Sequence, residues 1–185
     1  MKFKLVESLS VDNKGNPLTD AQDEFFKDSK IRDNSGQLLV CYHGSVDNER
    51  YDTIDGSKSK YGSPMAFFSD QPDFAVSFSQ RYNDKGNVYE CYLNITNPLI
   101  VDANGNNYNS VTLNGDALHI SDVAKYASAN GYDGVVVKNV EEYFGKVVTD
   151  FITFTNNQIK LITNPTPTNS LNMNEHRQRR LNIWK

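Results

Sequence analysis

The sequence predicts a single α+β domain built from largely antiparallel sheets. The chain has 185 residues, about seven or eight short apolar runs typical of strands, and three segments with helix signals. The strand-like and helical segments do not alternate regularly, which disfavours a doubly wound parallel sheet. We expect one domain over residues 1–163 and a polar, basic tail, loosely attached, over residues 164–185.

The first part of the chain predicts a short opening strand over residues 3–6, then a helix and a central strand. Thr19 and Gln22 have the spacing of a capping box, which predicts a helix over residues 20–30. Residues 38–45 are an apolar run that ends in a glycine turn. They predict a buried central strand with a histidine at its rim, where functional groups are often placed.

A long polar loop follows the central strand. Residues 46–62 contain two glycines and two serines, and a loop of this length without structure of its own is uncommon unless it is mobile or functional. The segment is therefore a candidate to close over a ligand. Lys58 and Lys60 offer positive charge to phosphates, or they are simply solvated.

A second helix is predicted after a short buried strand over residues 65–68. Ser69 or Asp70 is its expected cap, and Pro72 lies in the first turn, where a missing N–H is tolerated. Aromatic side chains recur at helical spacing as far as Arg81, so one face of this helix is aromatic.

The remaining elements are strands, a loop and a third helix. Strands are predicted over residues 88–95, 99–101, 134–137, 147–154 and 159–162. Residues 102–116 are rich in asparagine and glycine and predict a loop. Ser121 is the expected cap of the third helix, and Gly131 is its expected end.

Composition disfavours several classes of function. No apolar window approaches the length of a bilayer, and the opening residues lack a signal-peptide core, so we expect a cytoplasmic protein without membrane contact. The net charge of -4 argues against general nucleic-acid binding. The histidines are scattered, and Cys41 and Cys91 lie in apolar runs, so we expect no metal site and two free thiols.

Three segments carry the side chains that best combine into a site. His43 ends the central strand, Phe67 lies in the strand over residues 65–68, and Asp150 lies in a later strand. Each of these residues taken singly is more often structural than functional. Glu141 or Glu142 is the alternative for the working carboxylate.

The order of these segments resembles the ADP-ribosyltransferase family. Tyr-His-Gly-Ser at residues 42–45, Phe-Phe-Ser-Asp at residues 67–70 and Asp-Phe-Ile-Thr-Phe at residues 150–154 are similar to the branch with a His-Tyr-Glu triad. Diphtheria-like toxins and poly(ADP-ribose) polymerases share that branch, and the chain most resembles the small domains of phage and mobile-element polyvalent proteins. The resemblance covers roughly residues 37–162. It implies a core of two packed, mainly antiparallel sheets with a few short helices.

The resemblance implies that the chain binds NAD. His43 matches the family histidine that hydrogen-bonds a ribose hydroxyl, and Gly44 matches the glycine whose backbone contacts the nicotinamide amide. Phe78 matches the second aromatic residue of the nicotinamide sandwich. The same resemblance extends cofactor binding to Ser45 and Ser77.

The resemblance also implies a catalytic set of His43, Phe67 and Asp150. Phe67 stands at the triad tyrosine, and Asp150 stands at the catalytic glutamate. Two aromatic faces suit the cationic nicotinamide, and a carboxylate suits the positive charge that builds on the ribose. Phenylalanine lacks the hydroxyl and aspartate is one methylene shorter, which favours the alternative of a weak or inactive protein that binds NAD or a partner.

The implied function is NAD-dependent mono-ADP-ribosyl transfer by a toxin-like phage or bacterial effector. Its acceptor is a host protein or nucleic acid in the host cytosol, and the chain is taken as a monomer. Arginine-directed relatives carry Glu or Gln at the position of Val148, so an arginine acceptor is disfavoured. A ribonuclease or RNA 2′-phosphotransferase on a similar scaffold is a third option, but the sequence lacks the expected set of arginines around the site.

Overall fold

A computed structural model describes residues 10–81, 85–142 and 145–174, and in this part the predicted α+β class is confirmed. The helices are α1 (Asp20–Phe26), α2 (Pro72–Ser79) and α3 (Ile120–Ala129). The strands are β1 (Cys41–Ser45), β2 (Ala66–Ser69), β3 (Asn87–Leu93), β4 (Pro98–Asp102), β5 (Val111–Leu113), β6 (Asp116–Leu118), β7 (Gly134–Glu141), β8 (Val147–Thr153) and β9 (Ile159–Leu161). The strand predicted over residues 3–6 and the basic end of the tail lie outside the described residues.

Seven strands form one sheet in the order β4, β7, β8, β2, β1, β3, β9, and β5 pairs with β6 in a small second sheet. The pairing is antiparallel as predicted, apart from the parallel pair of β4 and β7. Ser69 on β2 pairs with Tyr42 of β1 on one side and with Asp150 of β8 on the other. This register places two of the predicted site segments, in β1 and β8, on either side of β2, the middle strand of the seven.

The small second sheet corrects the prediction of a loop over residues 102–116. Asn114 and Gly115 connect β5 to β6 with φ values of 54° and 93°. Both values are positive, as in the tight turn that Asn-Gly pairs favour in hairpins. The signal for a hairpin was therefore present in the sequence.

Helix α1 begins as predicted and ends early. The capping box is confirmed: the Thr19 hydroxyl accepts the Gln22 N–H at 3.1 Å, and the Gln22 side chain accepts the Thr19 N–H at 2.9 Å. The predicted end at residue 30 is wrong, because the Ser29 hydroxyl donates to the Leu93 carbonyl. The Lys30 N–H donates to the carbonyl of Ile95, two residues after the end of β3. Hydrogen bonds to this distant part of the chain therefore replace the last hydrogen bonds of the predicted helix.

The predicted caps of the other two helices are also wrong. Gln71 precedes α2 without a side-chain cap, because the Asp70 carboxylate accepts the Thr149 N–H of β8 instead. Pro72 opens α2 as predicted. His119 caps α3, with its Nδ1 accepting the Ser121 N–H at 3.0 Å.

The chain after β9 is packed against the domain as far as residue 174. Met173 is fully buried, and its backbone carbonyl accepts the Leu161 N–H at 3.0 Å. The fully buried Lys160 ammonium donates to the Ser170 and Asn172 carbonyls at 2.7 and 2.8 Å. Residues 164–174 are thus not loosely attached, while the domain boundary at residue 163 stays a prediction.

Replacing Lys160 with methionine is expected to lower the free energy of unfolding by about 2 kcal/mol or more. The methionine fills the space but leaves two carbonyls without their charged donor. Urea unfolding followed by circular dichroism measures this change. Lys30→Met, on an exposed residue, is the control and is expected to change stability by less than about 0.5 kcal/mol. Equal stability of the two variants would contradict a stabilising role for the hydrogen bonds of Lys160 to the Ser170 and Asn172 carbonyls.

Two further observations bear on function. Cys41 and Cys91 are buried free thiols that face each other across β1 and β3. None of the helices in the described ranges is long and apolar enough to cross a bilayer.

Candidate active site

A cavity of about 600 Å³ opens beside β1 and β2. Its lining includes residues of both strands, of α2 and of the loop over residues 46–64. In the described part of the chain, the ladder between β1 and β2 consists of the single pair Tyr42 and Ser69. His43 and Gly44, the next two residues of β1, line the cavity instead of continuing this ladder.

The loop over residues 46–64 is anchored and forms one wall of this cavity. The Tyr51 ring stacks on Tyr89 with centroids 4.9 Å apart, and the Gly56 N–H donates to Asn156 at 3.2 Å. Gly56 opens a short 3-10 turn. The loop therefore carries its side chains into the cavity from fixed points, as suits a binding wall.

His43 lies at the cavity with a defined hydrogen-bonding role. Its Nδ1 lies 2.8 Å from the Phe67 carbonyl oxygen, which can only accept, so Nδ1 carries the proton. Burial lowers the pKa of His43, and the contact with Phe67 opposes this only in part. The ring is therefore neutral at pH 7, and its Nε2 is a hydrogen-bond acceptor.

Gly44 lies where helix α2 crosses β1. A Cβ at this position would stand 2.2 Å from the Ala75 carbonyl oxygen and 3.2 Å from the Ser79 nitrogen, both backbone atoms. Only glycine allows the helix to approach the strand this closely. The cavity-facing backbone of β1 and the α2 side chains are thus fixed relative to one another.

The cavity has aromatic walls from two consecutive elements of the chain, β2 and α2. Phe67 on β2 and Phe78 on α2 both line it, as does Phe74 one turn earlier on the same helix. Tyr61 from the loop meets Phe67 edge to face, with centroids 5.6 Å apart. Phe78 is 40% exposed, so its ring is available to a ligand.

Sequence reasoning missed Tyr61. Its ring also contacts His119, which in turn meets Tyr108 at the cavity lining. The only sequence signal was its place at the end of a glycine-flanked loop, and a single tyrosine in a loop predicts nothing by itself.

Asp150 lies at the cavity as a buried carboxyl. Val148 and Ile152 lie two residues before and two residues after Asp150 on β8, so they share its face of the strand. Apolar side chains therefore flank the carboxyl. Burial raises the pKa of Asp150 well above its ordinary range, and the Glu142 and Asp70 carboxyls raise it further. Glu142 hydrogen-bonds Asp150 and also lines the cavity.

Of the predicted site residues, the structure brings His43, Gly44, Phe67, Phe78 and Asp150 to one cavity. Their catalytic and binding roles stay predictions.

Two predicted NAD-binding residues are not brought to the cavity. The buried Ser45 hydroxyl lies 3.3 Å from the Asp47 carboxylate and accepts the Asp47 N–H, which folds the turn after β1. The Ser77 hydroxyl donates to the Asp73 carbonyl one turn back in α2 and is exposed. Both hydroxyls therefore serve local structure.

Charge at the cavity is mixed. Lys58, Lys60 and Arg81 line it along with Asp150, so cations are available to phosphates. No group of three or more His, Cys, Asp or Glu side chains within the described residues is arranged to hold a metal ion.

Comparison with known proteins relates most of the chain to a described family. A family model described as ADP-ribosyltransferase in polyvalent proteins matches residues 33–169 of the 185. No curated protein and no solved structure matches the chain. The matched range contains all the cavity residues discussed above.

Proposed function

The chain belongs to the family of ADP-ribosyltransferase domains in polyvalent proteins, and on that premise we propose that it is an NAD-dependent mono-ADP-ribosyltransferase. The proposed acceptor is a host protein or nucleic acid, and the proposed place of action is the host cytosol as a monomer. One observation carries the proposal: His43, Phe67, Phe78 and Asp150 meet at one cavity.

NAD is the substrate in this proposal. Its bond between ribose C1′ and nicotinamide breaks with the electron pair leaving on nicotinamide, and an acceptor nucleophile bonds C1′ and loses a proton. The cavity suits such a substrate, because it combines an imidazole acceptor, aromatic walls, cations and a carboxyl. A dinucleotide offers a matching hydroxyl, a cationic ring and a diphosphate.

His43 orients the ribose in this proposal. Because its Nδ1 proton is engaged by the Phe67 carbonyl, its Nε2 accepts a hydrogen bond from a ribose hydroxyl. The same contact fixes the ring in place, so the acceptor is organised before the substrate binds.

Phe67 and Phe78 hold the nicotinamide in this proposal. An aromatic face attracts a cationic ring by stacking and by cation–π interaction, worth about 0.5–2 kcal/mol for each face. Tyr61, held edge to face against Phe67, extends this wall.

Asp150 stabilises the positive charge that develops on the ribose. Its burial strengthens the interaction with a nearby cation, because water does not screen it. Burial also favours the protonated carboxyl in the protein without NAD. A bound cationic nicotinamide reverses this preference, since an opposite charge lowers the pKa of a carboxyl.

Phe78→Ala is expected to raise the KM for NAD about 3- to 10-fold while leaving stability unchanged. The reason is the loss of one stacking face from a residue that is 40% exposed. Val76→Ala is a matched control, because Val76 lies on the same helix at 39% exposure and does not line the cavity. Steady-state nicotinamide release measures both, and equal KM values would contradict a stacking role.

The function is tested with NAD labelled on the nicotinamide or on the adenylate. We expect the full chain to release nicotinamide and to transfer adenylate label to protein or nucleic acid in a host extract. Binding without release supports the second candidate, an NAD-binding pseudoenzyme, which the missing Phe67 hydroxyl and the short Asp150 side chain favour. Turnover of RNA without NAD would instead favour a ribonuclease or RNA 2′-phosphotransferase.

A further inference from the structure

Strand β7 contains a bulge beside the cavity. Val137 pairs with Asp150 and Val140 pairs with Val148, so three residues of β7 span two of β8. Asn139 lies in the bulge with φ at 52°, in the left-handed region. Its amide donates to both carboxylate oxygens of Asp102 at 3.0 Å, which holds the bulge in place.

The bulge decides which glutamate reaches the cavity. Side chains alternate along a strand, so in a regular strand Glu141 would share the face of the fully buried Val137. Because the bulge adds one residue, Val140 instead lies on the same face as Val137, and it is also fully buried. Glu142, two residues after Val140, then lies on that face as well. Glu142 is 8% exposed and lines the cavity, whereas Glu141 is half-buried and does not.

The two carboxyls form one hydrogen-bonded unit. Asp150 is 4% exposed and hydrogen-bonds the Glu142 carboxyl. A hydrogen bond between two carboxyls needs a proton, and two buried carboxylates in contact do not both ionise near neutral pH. Asp70, beyond the end of β2, adds a further negative charge that opposes double ionisation.

Other charged or titratable groups line the same cavity as this pair. They are Tyr42 and His43 of β1, Asp47, Tyr51, Asp55, Lys58, Lys60 and Tyr61 of the loop, Arg81 after α2, and Tyr108. Among the described residues, burial, the Glu142 carboxyl and the Asp70 carboxyl raise the pKa of Asp150. The two neighbouring carboxyls therefore act together with burial to keep a proton on Asp150.

We infer that Glu142 is a positioning residue: it binds Asp150 in a carboxyl pair that holds one proton and directs the aspartate at the ribose. This inference rests on the proposed function. Aspartate has fewer rotatable bonds to lock than glutamate, and a fixed hydrogen bond to Glu142 selects one orientation of its carboxyl. Misplacement of a catalytic group by about 1 Å costs about 100-fold in rate, so this orientation matters.

The pH profile of nicotinamide release tests the pair. The wild-type rate is expected to fall on the alkaline side as the shared proton is lost. In Glu142→Gln the amide is a permanent donor, so the rate at the optimum stays within about threefold and the alkaline fall disappears. In Glu142→Leu the donor is lost, and kcat is expected to drop about tenfold with little change in KM.

Glu141→Gln is the matched control. This substitution removes a neighbouring carboxylate at the same end of β7, and Glu141 does not line the cavity. The pH profile of nicotinamide release is therefore expected to stay as in wild type. A Glu142→Gln profile identical to wild type, or a Glu142→Leu kcat equal to wild type, would overturn the inference. A merely structural role for Glu142 would alter stability but not the shape of the pH profile.

A second measurement separates this inference from the proposed function. Carbon NMR of the side-chain carboxyls, in protein without NAD, is expected to show two coupled titration steps in wild type and one in Glu142→Gln. Coupled steps without nicotinamide release in any variant would uphold the pair and reject the transferase. Independent titration of Asp150 in wild type would overturn the pair, whatever the enzyme does.

Discussion

Replacing Asp150 with asparagine is expected to lower the rate of nicotinamide release at least about 100-fold. Asparagine keeps the size and hydrogen-bonding capacity of the side chain but removes the charge that stabilises the ribose cation. NAD binding, measured by calorimetry, is expected to change far less than kcat. Equal rates in wild type and Asp150→Asn would remove the basis for the proposed transferase.

The same substitution is expected to stabilise the protein. In the unfolded chain the carboxyl titrates near its ordinary pKa of 3.8, whereas burial raises its pKa in the folded protein. Between these two values the folded state keeps a proton that the unfolded state has released, so wild-type stability falls as the pH rises through this window. The melting temperature of Asp150→Asn should exceed that of wild type by a margin that grows above pH 4.

Asp116→Asn is the control for both measurements. Asp116 is an exposed carboxylate on β6 and does not line the cavity. It is expected to leave the rate and the pH dependence of melting unchanged. A loss of activity together with a gain in stability is the signature of a group kept for function at the expense of the fold.

Gly44→Ala is expected to destabilise the fold by about 3 kcal/mol or more. The new methyl group would meet the Ala75 carbonyl at 2.2 Å, and a backbone atom does not rotate away as a side-chain tip does. Relief requires α2 to move off β1, which also displaces Phe78 from the cavity. The variant should therefore lose both stability and NAD affinity.

Gly36→Ala distinguishes a steric clash from simple backbone strain. Gly36 has φ at 82° and open space around its Cβ position, so alanine there is expected to cost only about 1 kcal/mol. Urea unfolding measures both variants. A Gly44→Ala variant no less stable than Gly36→Ala would contradict the close contact between α2 and β1.

Local signals in the sequence predicted the elements whose hydrogen bonds are local. The capping box of Thr19 and Gln22 and the proline at the start of α2 are examples, because their partners lie within a few residues. The end of α1 and the cap of α2 were predicted wrongly. Distant strands supply the partners there, through Ser29 and Asp70, and no local pattern encodes them.

The candidate site was likewise predicted only in part from the sequence. The order of His43, Phe67, Phe78 and Asp150 along the chain was enough to predict that they share a site, and the structure does bring them to one cavity. The Asn114–Gly115 pair is also a hairpin signal, but it lies in an asparagine-rich segment that equally favours a loop.

The sequence by itself determined the α+β class and the candidate residues of the site, because apolar periodicity and motif order are properties of the chain. Only the tertiary structure decided which of Glu141 and Glu142 lines the cavity, and only the tertiary structure brought Tyr61 against Phe67. The physical reason is that side-chain direction depends on strand register. One bulged residue, held by a carboxylate on another strand, reverses which side chains face the cavity.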